Sequence, residues 1–217
     1  MKRYAVYYAP REGVFADRAA EWLSGGHGVM GLPRPALDMT VDPRRYGFHG
    51  TIRAPFRLGD GRDVATLRAT VADLAARLAP VVCTGLRLEN MHGFLALTPM
   101  GCEAALLDMG VAVIEATNAL RAPLTAPEIA RRRPESLTPR QRALLDQWGY
   151  PHVMEEFRFH LTLTDRLPKA EVAAVMAVLS VHFAPVLPRP FVIEDLCLFG
   201  EDSAGAFHLM DRYALTG

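Results

Sequence analysis

Two stretches of this chain alternate apolar and polar residues with the two-residue period of a half-buried strand, and each opens the same succession of elements. The first is Phe48-His49-Gly50-Thr51-Ile52-Arg53, continuing to Phe56. The second is Phe157-Arg158-Phe159-His160-Leu161-Thr162-Leu163-Thr164. Behind the first, residues 64–78 predict a helix with Val64, Leu67, Val71, Leu74 and Leu78 on one face. A hairpin of 86–89 with 94–98 then turns through Asn90-Met91-His92-Gly93. Behind the second come a helix over 169–183 and a hairpin of 192–199 with 207–215. The two units agree in layout and not in sequence. Strand, helix, hairpin written twice suggests a duplication, with two lobes facing each other.

The remaining segments fit around these units. Residues 3–9 are rich in aromatics and read as a strand, 15–23 as a short helix, 24–35 as a glycine- and proline-rich loop, and 103–120 as a helix. Residues 121–150 differ in character and read as a helical insertion within one domain spanning 1–217. There Thr138 with Gln141 fits a capping box and Pro139 fits the first helical position, so a short helix reaches about Trp148 before Gly149 and Pro151 stop it. Leu137 to Leu145 resembles the opening of a DNA-binding helix-turn-helix. Trp148-Gly149-Tyr150-Pro151 stands where the recognition helix would follow, so a capped surface helix is the better reading.

Charge and cysteine content narrow the function. Lysines plus arginines number 24, as do aspartates plus glutamates, so no global field attracts nucleic acid or an anionic membrane. Cys83, Cys102 and Cys197 lack the close spacing of a zinc or redox motif and read as reduced thiols in a cytoplasm. The most apolar helical run, 172–181 between Glu171 and His182, is too short to span a bilayer. A cytoplasmic protein without membrane association is expected.

On the two opening strands, alternation puts His49, Thr51 and Arg53 on one face, and Arg158, His160, Thr162 and Thr164 on one face of the other. Phosphoester chemistry uses such a set. A histidine pair can hold an acid and a base at once near neutrality, and threonine hydroxyls and arginines can donate to phosphoryl oxygens. Polar residues facing water would account for either strand alone; the pair, half a chain apart, is harder to dismiss. No carboxylate cluster adjoins the histidines, so no metal and no cofactor is called for. Tyr46 and Tyr150 lie near the motif strands, where they either line the cleft or pack in the core. Arg131-Arg132-Arg133 reads by default as a solvated helix end, and Gly25-Gly26-His27-Gly28 as plain loop, since it lacks the lysine of a phosphate-binding loop. His92, His182 and His208 lack the motif context. A zinc site from His49, His152 and His160 has no ligand spacing to support it.

His49-Gly50-Thr51-Ile52 and His160-Leu161-Thr162-Leu163 resemble the paired His-x-Thr/Ser-hydrophobic motifs of the 2H phosphoesterase superfamily. A closer resemblance is to a bacterial branch associated with phosphonate metabolism and catalogued as a domain of unknown function. It rests on residues 3–10, Tyr46-Gly47-Phe48-His49 through Pro55-Phe56, Leu137-Thr138 through Leu145, Trp148-Gly149-Tyr150-Pro151 and Phe157-Arg158-Phe159-His160. Gly50, Arg53 and His152 stand where that branch would have alanine, lysine and an aromatic. The resemblance implies a bilobal α+β fold: two pseudo-symmetric antiparallel-sheet lobes with outer helices around a central cleft. It implies metal-independent hydrolysis of a cyclic phosphodiester or a related small phosphorylated sugar. His49, His160, Thr51 and Thr162 would be catalytic, and Arg53, Arg158, Tyr46 and Tyr150 would bind substrate. The alternative is RNA-end 2',3'-cyclic phosphodiesterase or ligase-like chemistry, and behind it a non-catalytic nucleotide- or DNA-binding module on the same fold, against which the intact pair of His-x-Thr motifs argues. Neutral net charge favours the small phosphorylated substrate over an RNA end.

Overall fold

The computed structural model describes every residue except His27. The chain begins with β1 (Tyr4–Tyr8), α1 (Val14–Leu23) and α2 (Val41–Tyr46). The first repeat follows as β2 (Gly50–Phe56), α3 (Val64–Ala75), β3 (Val81–Cys83), β4 (Gly85–Met91) and β5 (Phe94–Met100). Three helices come next: α4 (Glu103–Asn118), α5 (Ala126–Arg131) and α6 (Pro139–Trp148). The second repeat closes the chain as β6 (Leu161–Thr162), α7 (Lys169–Phe183), β7 (Phe191–Ile193), β8 (Asp195–Glu201) and β9 (Phe207–Ala214). This is the expected α+β architecture of antiparallel sheets and outer helices.

The repeats interlock. One seven-stranded antiparallel sheet runs β4-β5-β6-β2-β1-β8-β9, and β3 pairs with β7 in a separate two-stranded ribbon. The first repeat's hairpin, β4–β5, therefore lies beside the second repeat's motif strand, β6. The second repeat's hairpin, β8–β9, lies on the side of the first repeat's motif strand, across β1. The two motif strands are central neighbours, joined at Gly50↔Leu161.

One face of the sheet is covered by helices. Val6, Tyr8, Ile52 and Phe56 pack there with Trp22 of α1, Leu67 and Val71 of α3, Met109 and Val113 of α4, and Val175 and Leu179 of α7. The helical stripes read from the sequence are these buried faces, as the period of 3.6 requires. Asp63 caps α3 by accepting from the Thr66 amide (2.8 Å), and the Thr138–Gln141 capping box of α6 is formed. The other face of the sheet is left free for the cleft.

Several details depart from the sequence expectations. The second motif strand is shorter: only Leu161–Thr162 is strand, after a 3-10 turn at Met154–Glu156. Helices α2 and α5 and the β3–β7 ribbon are additions to the elements expected. Helix α7 runs into a 3-10 turn at Ala184–Val186. The resulting 18-residue stretch, Lys169–Val186, has mean hydropathy 1.4 and is long and apolar enough to cross a membrane, which corrects the shorter run read from the sequence. Here one side of it packs on the sheet through Val175, Leu179 and Phe183.

Cys83 and Cys102 are joined in a disulfide, against the expectation of reduced thiols. The cause is the hairpin register. Gly85 pairs with Met100, so the residues just outside the two ends of β4–β5 are brought together, with Cα atoms 4.9 Å apart. Cys197 is free and buried.

This packing makes two stability predictions. A Cβ at Gly50 would fall 2.2 Å from the ring of Phe159. Gly50→Ala should destabilise the fold by about 1–3 kcal/mol in a denaturant titration, and Phe159→Leu should relieve it; a neutral Gly50→Ala would refute this contact. Reducing Cys83–Cys102, which spans 19 residues, should cost about 3 kcal/mol in the same assay, and an unchanged midpoint in dithiothreitol would count against the bond.

Candidate active site

The two histidines stand just before β2 and β6 and are built alike. Helix α2 ends at Tyr46. Gly47 then turns the chain at φ +72°, a region that favours glycine, and His49 follows. His49 Nδ1–H donates to the Gly47 carbonyl at 2.9 Å, two residues back. His160 Nδ1–H donates to the Arg158 carbonyl at 2.7 Å, also two residues back. A carbonyl can only accept, so both rings carry a proton on Nδ1 and keep Nε2 for chemistry. Thr51 Oγ1 lies 3.2 Å from His49 Nε2.

The pairing Gly50↔Leu161 sets the rest. One step either way along these antiparallel strands places His49 opposite Thr162 and Thr51 opposite His160, and opposed residues share a face. The two His-x-Thr motifs are thus brought side by side at this one pairing. Tyr7 of β1 stacks on His49, with ring centroids 4.0 Å apart. Beneath lies a small apolar floor of Ala5, Tyr7, Ala9, Cys197, Phe199 and Phe207, with Tyr46 packed against it.

A cleft of about 520 Å³ opens over this face, the size that encloses a small molecule. His49, Thr51, Thr162, Tyr46 and Tyr150 line it. His160 is not among its wall residues; its ring lies 5.5 Å from Phe94, which is. Segment 121–150 forms one wall through Leu124, Glu128, Arg131 and Arg132, with Tyr150 just beyond α6, and Arg132 sits 4.7 Å over the Tyr150 ring.

Neither predicted arginine lines the cleft. Strand β2 carries irregularities against β1: Thr51 pairs with Tyr7 but Arg53 with Val6, so β2 spends two residues where β1 spends one. That bulge turns Arg53 to the helix side. There it is 2 % exposed, lies 5.0 Å from the Phe56 ring and donates to the Trp148 carbonyl at the end of α6 (3.3 Å). Its Nε and Nη2 have no partner among the described residues. Burial, and then the charge of Arg121, lower its pKa to about 9. Arg158 precedes the short β6, where alternation does not hold. Its guanidinium folds back onto the carbonyls of Glu155 and Phe157 and lines a different cavity. In their place the cleft holds Arg3, Arg45, Arg131, Arg132 and Arg166. Of these only the 131–133 triplet stands out in the sequence, where it reads as a solvated helix end. The Gly25–Gly28 loop includes His27, which lies outside the described residues.

Burial dominates the electrostatics. It pushes His49 down to about 4; the nearby His160 charge adds to this and the Gly47 carbonyl opposes it. His160 is lowered by burial and then by His152, against the Arg158 carbonyl. Both rings are neutral at neutral pH without ligand, and an anion between them would favour imidazolium. Among the described residues no three His, Cys, Asp or Glu are grouped to hold a metal ion.

A family model described as "Protein of unknown function (DUF1045)" matches residues 51–208. The chain belongs to this family. Two curated relatives are each a ribose 1,5-bisphosphate phosphokinase PhnN. That of Janthinobacterium sp. (strain Marseille) is 36% identical over 95% of this chain, and that of Laribacter hongkongensis (strain HLHK9) is 34% identical over 94%. The chain spans about half the length of these relatives, 49% of each. Among solved structures, TT0787 of Thermus thermophilus superimposes with a TM-score of 0.50 at 16% identity, covering 99% of this chain and 98% of that one, and shares the fold. Escherichia coli LigT in its apo form gives a TM-score of 0.47 at 12% identity, over 100% and 98% of the two chains.

The lowered His49 pKa can be tested by a proton NMR titration of its imidazole. The midpoint should lie near 4, below the ordinary 6.5. The unfolded chain then binds more protons between these values. The stability from the buried neutral ring is complete above 6.5 and is lost as pH falls through about 4. A midpoint near 6.5 would mean the ring is solvated.

Proposed function

We propose that this DUF1045 chain is a metal-independent phosphoesterase that opens a cyclic phosphodiester on a small phosphorylated sugar. One observation carries the reading: the Gly50↔Leu161 pairing, which makes neighbours of the two strands that follow His49 and His160. A phosphate at this pairing meets two imidazoles and two hydroxyls. One neutral histidine Nε2 removes a proton from water as the water oxygen attacks phosphorus. The other histidine, protonated in the complex, gives its proton to the departing sugar oxygen. One P–O bond forms and one breaks, leaving a phosphomonoester and a free hydroxyl. Thr51 and Thr162 donate to the non-bridging oxygens, whose charge grows in the transition state. The dry apolar floor strengthens those contacts.

Cleft size supports a small substrate over an RNA strand, and so does the neutral chain. The relatives' name supports a ribose. Opening a cyclic phosphate on a ribose already phosphorylated at its far end leaves a ribose bisphosphate, the kind of molecule for which they are named. Kinase activity is not proposed for this chain. Its only lysines are Lys2 and Lys169, and neither sits in a glycine-rich phosphate loop. The phosphonate association and a cytoplasmic site of action belong to the same proposal.

On a cyclic ribose phosphate, His49→Ala and His160→Ala should each lower kcat by about 10²–10⁴-fold while far-UV circular dichroism stays unchanged. EDTA should leave the rate of the unmodified protein intact. Near-native turnover in either variant, or metal-reversible loss with EDTA, would overturn the assignment.

A further inference from the structure

The cleft holds more positive charge than one phosphate at the histidines needs. Its acids are largely committed. Glu128 accepts from Nε and Nη2 of Arg57, both at 3.0 Å, and Asp165 accepts the amides of Val41 and Asp42 at 2.8 and 3.0 Å. Arg3 is held by Glu201 through two bonds of 2.6 Å, and Arg45 donates to the Gly205 carbonyl at 3.0 Å. Arg131, Arg132 and Arg166 also line the cleft, yet none has a carboxylate within 4.0 Å among the described residues. Asp42 is the one wall acid left without a side-chain partner among the described residues. The wall thus carries five arginines, Arg3, Arg45, Arg131, Arg132 and Arg166, against three carboxylates, Asp42, Glu128 and Asp165, a local positive excess in a chain of zero net charge.

Two of these arginines sit together at the end of one helix. Arg131 and Arg132 end α5, which starts with a complete Thr125–Glu128 capping box, and Glu128 is tied to Arg57. Arg132 is further oriented by the Tyr150 ring beneath it. Planar, permanently charged groups side by side on one wall suit bidentate capture of a phosphoryl group.

We infer that Arg131, Arg132 and Arg166 form a second phosphate subsite, which holds a remote phosphoryl group of the substrate while the cyclic phosphate lies between the histidines. The inference rests on the phosphoesterase reading and adds to it. The substrate is a doubly phosphorylated small molecule, and segment 121–150 selects it while the motif strands perform the chemistry.

Two measurements test this. The first compares kcat/KM for a ribose cyclic phosphate with and without a second phosphate on the far hydroxyl. The unmodified protein should prefer the doubly phosphorylated compound, and Arg131→Met with Arg132→Met should cut that ratio by about 10–100-fold. Arg131→Lys with Arg132→Lys should keep part of it. Equal rates on both compounds, or a ratio untouched by the methionine pair, would overturn the subsite. The second is calorimetric titration with inorganic phosphate, which needs no turnover. Two binding events are expected, one lost in the double methionine variant and the other weakened in His49→Ala/His160→Ala. Absence of turnover on every cyclic phosphate with two phosphate sites intact would defeat the phosphoesterase reading and leave the subsite standing. A single event insensitive to the arginines would defeat the subsite.

Discussion

The site depends on one short backbone pairing, Gly50 against Leu161. A two-residue strand is a weak element by itself, so the pairing is held from outside. The indole N–H of Trp22 donates to the Leu163 carbonyl at 2.8 Å, and Thr164 Oγ1 accepts the Leu95 amide at 2.9 Å. Asp165 binds the start of α2, whose other end carries Tyr46 to the cleft. Phe159 fills the space that the absence of a side chain leaves at Gly50. A slip of one residue would send each histidine to the opposite face, so these contacts fix register as much as stability.

Two neutral, desolvated imidazoles make an acid–base pair only when an anion joins them. Burial disfavours imidazolium at both rings, His160 further lowers His49, and His152 further lowers His160. An anion between the rings would oppose that balance and favour one protonated ring, as the proposed chemistry requires. The buried Arg53 works differently. With Arg121, which donates to the Gln147 carbonyl at 3.4 Å, it meets the C-terminal end of α6, where positive charge complements the helix dipole. It ties the 121–150 segment to the motif strand from behind.

The exchange of hairpins between repeats explains why neither half of the chain makes a cleft alone. Strand β6 needs β5 of the first repeat at one edge and β2 at the other. The cleft is then completed by α2, α5 and Tyr150, which lie outside both repeats. The motif strands and the segments outside the repeats thus contribute different walls of one cleft.

Much of this was legible in the sequence because it rests on local periodicity. Alternation marked His49 with Thr51 and His160 with Thr162, and the 3.6-residue period marked the buried faces of the helices. The capping box marked the start of α6. Arg53 escapes the alternation because a bulge in β2 breaks the period, and Arg158 because no ladder bonds hold 157–160 extended. The Cys83–Cys102 pairing followed from hairpin register and was recoverable from the turn around Asn90, but cysteine spacing concealed it. Nothing local could show that Arg131, Arg132 and Arg166 share a cleft with the histidines, or that Tyr7 stacks on His49. Those contacts join residues far apart in sequence, and only the sheet order and the placement of α5 beside the cleft bring them together. The sequence by itself determined the candidate histidine pair and the faces it lies on; the tertiary structure decided which charges surround it, because periodicity specifies a face and not what stands opposite.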